Sequence, residues 1–163
     1  MPPLILLALL AGLPLILTTL LRVKPLYLFV SIVIGYFWVQ YLGESAELVM
    51  RSLVQVSHPD VVIRLGLLLV PFVLTLLFMR KTLSTSALPF QFILLVADSA
   101  LLTLFLLPLL TPGTQGAIYQ THAGNVVRQA HDVAIVAVAA LHLIVMYMTK
   151  PASHVKGHHG RHK

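Results

Sequence analysis

The segment from Phe90 to Leu110, FQFILLVADSALLTLFLLPLL, decides the fold of this chain. As a helix that rises about 1.5 Å per residue, it is long enough to cross a bilayer core about 30 Å thick. Asp98 lies near its middle, and an aspartate at that depth costs roughly 2.5–3.5 kcal/mol on insertion. We therefore expect Asp98 to face protein, a partner or water, with the other helices arranged around this one.

The composition of the whole chain is that of a membrane protein. Of its 163 residues, 58% are hydrophobic and 10% are charged, whereas globular domains carry about 25% charged residues. A soluble domain of this size could not bury so much apolar surface. The composition therefore predicts a single membrane domain, and the absence of cysteine excludes disulfides and thiolate metal sites.

Five apolar segments predict an all-α polytopic transmembrane helix bundle. The predicted spans are Leu4 to Leu21, Leu26 to Gly43, Val61 to Met79, Phe90 to Leu110 and His131 to Thr149. Together they give a transmembrane helical domain over residues 1–149. Residues 150–163 form a basic, His-rich tail that has too few apolar residues to build a core.

Several residues in and between these spans carry more specific expectations. Pro14 removes one backbone hydrogen bond from the first span, and Gly35 predicts a close approach between two helices. The interval from Glu44 to Asp60 has apolar residues near one helical face. It predicts either a helix on the membrane surface or a loop helix packed on the bundle. Thr111 to Ala130 is the longest polar stretch and predicts a loop with glycine turns.

The distribution of lysine and arginine predicts the orientation, because these residues are enriched in cytoplasmic segments. With the N-terminus outside, the five-span arrangement leaves only Arg51, Arg64 and Arg128 on the outer side. The inner side then holds Arg22, Lys24, Arg80, Lys81, Lys150, Lys156, Arg161 and Lys163. A four-span alternative that lays the last helix on the surface gives a weaker bias. We therefore expect five spans and a cytoplasmic C-terminus.

The layout resembles that of the colicin V production (CvpA-like) membrane proteins. The residues that carry the resemblance are Leu21-Arg22-Val23-Lys24, the interval Glu44 to Asp60, Arg80-Lys81 and Asp98, within Leu4 to Leu110. The resemblance implies a bacterial inner-membrane protein with a role in secretion or envelope processes. It implies no catalytic residues.

The polar residues within the fourth span form the first candidate site. Gln91 and Asp98 share a face of the helix, and Ser99 and Thr103 extend that polar arc. One interpretation is a proton or cation relay in the middle of the membrane, since intramembrane ionisable residues are functional candidates. The other is a structural aspartate that is protonated or hydrogen-bonded within the bundle.

His142 in the fifth span is the predicted partner of Asp98. In antiparallel consecutive spans, the two residues lie at similar depths, about 13 Å and about 10 Å from the inner ends of their helices. Consecutive helices are often neighbours, and pairing would offset the cost of burying either group alone. The pair could be ionic or a hydrogen bond between neutral groups.

The remaining patterns limit the function classes. No cofactor is predicted, because His131 and His142 would lie about 16 Å apart along a helix, too far to ligate one haem iron. No nucleotide-binding, metalloprotease or serine-hydrolase motif is present, so no enzyme is predicted. Nucleic acid is not an expected partner, because the basic residues follow the membrane face. The tail offers weak candidate metal ligands, or simply a solvated tract, in His154, His158, His159 and His162.

Two functions follow from these observations. The sequence favours a non-catalytic membrane protein that assembles with itself or with other membrane proteins, with the bilayer as its main partner. The alternative is a small channel or transporter subunit that uses Asp98 and His142.

Overall fold

The computed structural model of the chain describes residues 3–53, 59–82 and 88–148, and these residues fold as helices without strands. The predicted all-α bundle is therefore confirmed. The tail, residues 150–163, with its four candidate metal ligands lies outside the described residues. A short 3-10 turn, Leu107–Leu109, follows the fourth of six α-helices: α1 Pro3–Leu21, α2 Pro25–Leu53, α3 Pro59–Phe78, α4 Leu88–Leu106, α5 Pro112–Tyr119 and α6 His122–Met148.

Five of the helices are long and apolar enough to cross a membrane. They are α1, α2, α3, α4 with its 3-10 turn, and α6, and their most apolar windows all have clearly positive mean hydropathy. The predicted set of five spans is the set of long helices in the structure. The shorter α5 joins the fourth of these helices to the fifth.

Helix α4 is the central helix of the bundle. It contacts α1, α2 and α6, and 61% of its apolar window is buried, compared with 11% for α1 and for α6. Its side chains Leu95, Leu101 and Leu102 are almost fully buried in the main core, where they lie with Ile32 and Leu68 from α2 and α3. Asp98 is therefore carried by the one long helix that is mostly enclosed by protein.

Helices α2 and α3 lie in close contact at Gly35. A Cβ atom at this position would lie 2.6 Å from the carbonyl oxygen of Leu68. The contacting atom is backbone, so it could not move aside without shifting α3. The predicted close approach at Gly35 is therefore confirmed, and it fixes the crossing of these two helices.

Of the two alternatives predicted for Glu44 to Asp60, the helix packed on the bundle agrees with the residues that the structure describes, but it is an extension of the second span. Helix α2 continues without a break from the span into the interval Glu44 to Asp60. A Cβ atom at Gly43 would lie 3.8 Å from Cγ of Arg64 on α3, and Glu47 lies between two cations. Its carboxylate is 2.5 Å from Arg51 on the same helix and 3.6 Å from Arg64. These contacts hold the extension against α3.

The expectation of a long loop over Thr111 to Ala130 is wrong, because this interval contains α5 and the first two turns of α6. Pro112 begins α5, where its fixed φ angle suits a first helical residue. The Thr121 hydroxyl accepts the backbone N–H of Gly124 at 3.0 Å and so caps the start of α6. A Cβ at Gly124 would overlap the carbonyl oxygen of Ile118. The tight connection between α5 and α6 therefore requires glycine at position 124. Helix α6 also begins well before the start of the predicted fifth span.

Two basic turns meet at one end of the bundle. Arg22 and Lys81 each follow a helix with positive φ angles of 52° and 62°. The Lys81 N–H donates to the carbonyl oxygen of Leu21 at 2.8 Å, and the Lys24 N–H donates to the Thr82 hydroxyl at 3.1 Å. We call this end of the bundle the basic end and define it by Arg22, Lys24, Arg80 and Lys81. The other end of the bundle is called the opposite end.

Candidate functional site

The predicted contact between Asp98 and His142 is confirmed. Oδ1 of Asp98 on α4 lies 3.1 Å from Nε2 of His142 on α6. The two residues are only 2% and 3% exposed. They therefore form a buried polar pair where the central helix meets the last helix.

The His142 ring is held by two further contacts. Its Nδ1 lies 3.0 Å from the carbonyl oxygen of Val138, one turn earlier on α6. Its ring stacks on Phe29 of α2, with centroids 4.4 Å apart and an angle of 14° between the planes. A carbonyl oxygen can only accept a hydrogen bond, so Nδ1 must carry a hydrogen. This leaves Nε2 as the nitrogen that faces Asp98.

This orientation determines which protonation states allow a hydrogen bond between the two groups. If His142 is neutral, its Nε2 is an acceptor and the Asp98 carboxyl must carry the proton. If His142 is charged, its Nε2–H faces an Asp98 carboxylate. Both forms hold one proton between Oδ1 and Nε2, and both have zero net charge. Adding or removing a proton would leave a net charge in a buried site, which is costly without water or a counter-charge.

The pair does not satisfy its own hydrogen-bonding capacity. Among the described residues, neither carboxyl oxygen of Asp98 nor Nε2 of His142 makes an aligned hydrogen bond, although the 3.1 Å contact is short. The buried Oε1 of Gln91 also lacks a partner there. Buried polar atoms are normally satisfied by protein or by water. The site therefore has unused donors and acceptors on one side of α4.

A cavity connects this site to the basic end. It has a volume of about 290 Å³ and is lined by Gln91 and His142 together with Lys24, Tyr27 and Leu94. A cavity of this volume is large enough to admit several water molecules. His142 can therefore be reached from the basic end, and Gln91 lines the same cavity, whereas Asp98 is not among its lining residues.

Ser99 and Thr103 do not belong to the site, so the predicted polar arc is wrong for these two residues. The Ser99 hydroxyl donates to the carbonyl oxygen of Ala11 on α1. The Thr103 hydroxyl lies 3.3 Å from the carbonyl oxygen of Leu10 and 2.8 Å from that of Ser99. Consecutive helical residues point about 100° apart, so Ser99 faces α1 while Asp98 faces α6.

The two hydroxyls have a structural task that follows from Pro14. In a regular helix the carbonyl of Leu10 would accept the N–H of the residue at position 14, and proline has none. The Thr103 hydroxyl shares its single hydrogen between this carbonyl oxygen at 3.3 Å and the closer carbonyl oxygen of Ser99 at 2.8 Å. Unpaired backbone groups are expensive in a membrane, and hydroxyls from neighbouring helices commonly satisfy them. Ser99 and Thr103 therefore stabilise the joint between α1 and α4.

An apolar barrier separates the pair from the opposite end. Leu101, Leu102 and Phe105 follow Asp98 along α4 and are at most 5% exposed. Phe105 stacks on Tyr36 of α2, with ring centroids 4.3 Å apart. Along the helix, this stack lies about 10 Å from Asp98. Within the described residues, the cavity that His142 lines lies on the side of the basic end.

Sequence reasoning missed three residues of the site. Val138 lies one helical turn before His142, so its carbonyl could have been identified from spacing alone. Phe29 and Lys24 could not, because their positions depend on how α2 packs against α4 and α6. Within the described residues no group of three or more histidine, aspartate or glutamate side chains could hold a metal ion.

Comparison of the chain with family models, curated proteins and solved structures finds no match. The resemblance to the CvpA-like proteins therefore stays a hypothesis.

Proposed function

We propose that this protein is a small channel or transporter subunit in which Asp98 and His142 bind and release a proton within the membrane. The observation that carries the proposal is the buried Asp98–His142 pair, whose histidine lines a cavity that reaches the basic end. A purely structural pair needs no such access. Buried ionisable groups in contact with a water-accessible cavity are typical of proton relays.

The ligand set favours a proton over a metal cation. None of the residues that line the cavity carries a carboxylate, and Asp98 contacts the site only through His142, whereas hard cations usually take six or more oxygen ligands. Lys24 also lines the cavity and would repel a cation that enters from the basic end. A proton can instead move along hydrogen bonds through water, with Gln91 as a neutral group along the way.

Movement across the membrane requires a second conformation. The stacked rings of Tyr36 and Phe105, together with Leu101 and Leu102, close the route from the pair to the opposite end. Release on that side would therefore require this stack to open. We expect transport to be slow or coupled to another substrate, as in a gated carrier, and not the flux of an open pore.

Proton flux into proteoliposomes tests the proposal. The purified protein is reconstituted with a trapped pH-sensitive dye, and a pH step is applied across the membrane. We expect the Asp98→Asn and His142→Leu variants to lose the flux. Asp132→Asn is the matched control, because Asp132 also contacts a histidine, His131, at 2.9 Å but its side chain is 98% exposed. This variant should retain the flux.

Two results would count against the proposal. One is a wild-type flux equal to that of empty liposomes under both orientations of the gradient and with candidate co-substrates present. The other is a flux that persists in a well-folded Asp98→Asn protein. In either case the pair would be a structural contact.

The proposed location is a bacterial inner membrane with the N-terminus outside and the basic end in the cytoplasm. Support comes from the two basic turns, which the hydrogen bonds of Leu21 and Thr82 bring together at one end. Because the chain has no cysteine, single engineered cysteines can be labelled without background. A cysteine at Lys24 that reacts with a membrane-impermeant reagent in intact cells would reverse the orientation.

A second candidate is the non-catalytic assembly or envelope and secretion factor that the sequence favoured. It is supported by the slight burial of α1 and α6 within the chain, 11% for each, which leaves their faces available to lipid, a second copy or another membrane protein. Purification in mild detergent distinguishes the candidates. A stoichiometric partner or a stable oligomer without any proton flux would favour assembly.

A further inference from the structure

The Arg64 side chain on α3 is 41% exposed and is ion-paired with Glu47, but it makes no direct hydrogen bond to the described residues. Its Nε is buried without a partner. Its Nη2 lies 3.6 Å from Oε2 of Glu47, which is longer than a hydrogen bond, and the same carboxylate is bound more closely by Arg51 at 2.5 Å. A guanidinium offers five N–H donors in a planar fork. Arg64 therefore has donor capacity that the nearby side chains do not use.

Arg64 lines a second cavity, of about 370 Å³, near the opposite end. Its walls are of two kinds. The stacked rings of Tyr36 and Phe105 form an apolar surface together with Leu68 and Leu109, while polar groups lie around Arg64. These polar groups are Gln40, Glu44 and His131. The cavity thus combines an aromatic face with one strong cation, as sites for small amphipathic ligands do.

We propose that this cavity binds a small organic anion, with one carboxylate or phosphate on Arg64 and its apolar body against the Tyr36–Phe105 stack. Arginine is suited to this role because its fork can bind both oxygens of such a group at once. The volume limits the ligand to a small molecule or to the headgroup region of a lipid. This site is separate from the Asp98–His142 pair and does not depend on the proposed proton function.

The anionic group could come from solution or from a lipid. Arg64 lies about 7 Å along α3 from the first residue of that helix, Pro59. This depth can be reached by a lipid phosphate or by a solute entering from the opposite end. Both sources present the same oxygen acceptors, so the experiment includes one probe for each.

The soluble arm uses benzoate, with benzyl alcohol as the uncharged control of similar shape. The protein is purified in a neutral maltoside detergent, and its melting temperature is measured at increasing concentrations of each compound. We expect benzoate to raise the melting temperature in a saturable manner and benzyl alcohol to have no saturable effect. Arg64→Gln should abolish the benzoate effect. Arg80→Gln, an exposed arginine at the basic end, should retain it.

Two further variants keep the test decisive if Arg64→Gln fails to fold. Arg64→Lys keeps the charge but loses the planar fork, so it should bind benzoate several-fold more weakly. Glu44→Gln removes a negative charge from the cavity wall and should strengthen benzoate binding, which a merely structural role would not produce. A weaker affinity for benzoate in Glu44→Gln would contradict binding of the anion by the charge of Arg64, and would overturn the proposal.

The lipid arm compares nanodiscs of phosphatidylcholine with nanodiscs that also contain phosphatidylglycerol. A rise in melting temperature with phosphatidylglycerol that depends on Arg64 would assign the site to a lipid headgroup. A response to benzoate that depends on Arg64 would assign it to a soluble anion. The absence of any Arg64-dependent response in both arms would overturn the proposal.

Discussion

The coupling between Asp98 and His142 can be measured by a double-mutant cycle with Asp98→Val and His142→Leu. Each single substitution leaves the other polar group buried without its partner, so both should destabilise the fold. Replacing both leaves an apolar contact, which a membrane bundle tolerates. Interhelical polar pairs in membranes average about 0.6 kcal/mol of coupling and reach about 1.7 kcal/mol. Since this pair is 2% and 3% exposed at 3.1 Å, we expect a value near the upper limit.

The assay is unfolding in mixed micelles as the fraction of denaturing detergent is raised, with helix content as the signal. Loss of the Phe29 stack in His142→Leu, worth about 0.5–1.5 kcal/mol, occurs in both the single and the double variant and cancels in the cycle. A cycle on the exposed pair His131 and Asp132 is the control and should give coupling near zero. Additivity within about 0.5 kcal/mol for the buried pair, with all variants folded, would refute the reasoning.

Three other predictions concern the fold. Gly35→Ala should destabilise the protein in detergent by about 1–3 kcal/mol, because its Cβ would press on α3 backbone; Gly66→Ala, which has open space, should leave the melting temperature unchanged. Thr103→Val should lower the free energy of unfolding by about 1 kcal/mol. The loss should be smaller in a Pro14→Ala background, because the substituted alanine supplies the backbone N–H that the carbonyl of Leu10 lacks. An equal loss in both backgrounds would show that Thr103 does not compensate for Pro14. Truncation after Thr149 should leave the melting temperature nearly unchanged, because the tail has few apolar residues, and a large loss of folded yield would show that it is needed.

The sequence was sufficient to predict the central helix, the five long helices and the contact between Asp98 and His142. These predictions rest on properties that act along one helix or between consecutive helices: apolar length, the cost of burying a charge, and depth along the helix. Gly35 was likewise found because close helix crossings in membranes need small residues.

The errors arose where a tertiary contact overrides local polarity. Glu44 to Asp60 is polar enough to suggest a chain that leaves the bundle, yet α2 continues because Glu47 is paired with arginines. The glycines around α5 suggested a loop, whereas Gly124 is needed for a tight helical corner. Ser99 follows Asp98 directly in sequence but faces a different helix. Which helix each residue faces depends on how α1 and α6 pack against α4.

The central claim is that the Asp98–His142 pair exchanges a proton with water through the cavity at the basic end. The most direct measurement is the infrared difference spectrum of the protein in nanodiscs as the bulk pH is changed. We expect a carboxyl band that is absent in Asp98→Asn, altered in His142→Leu and retained in Asp132→Asn. An Asp98→Asn spectrum identical to that of the wild type would show that the buried pair does not exchange protons, and would contradict the account.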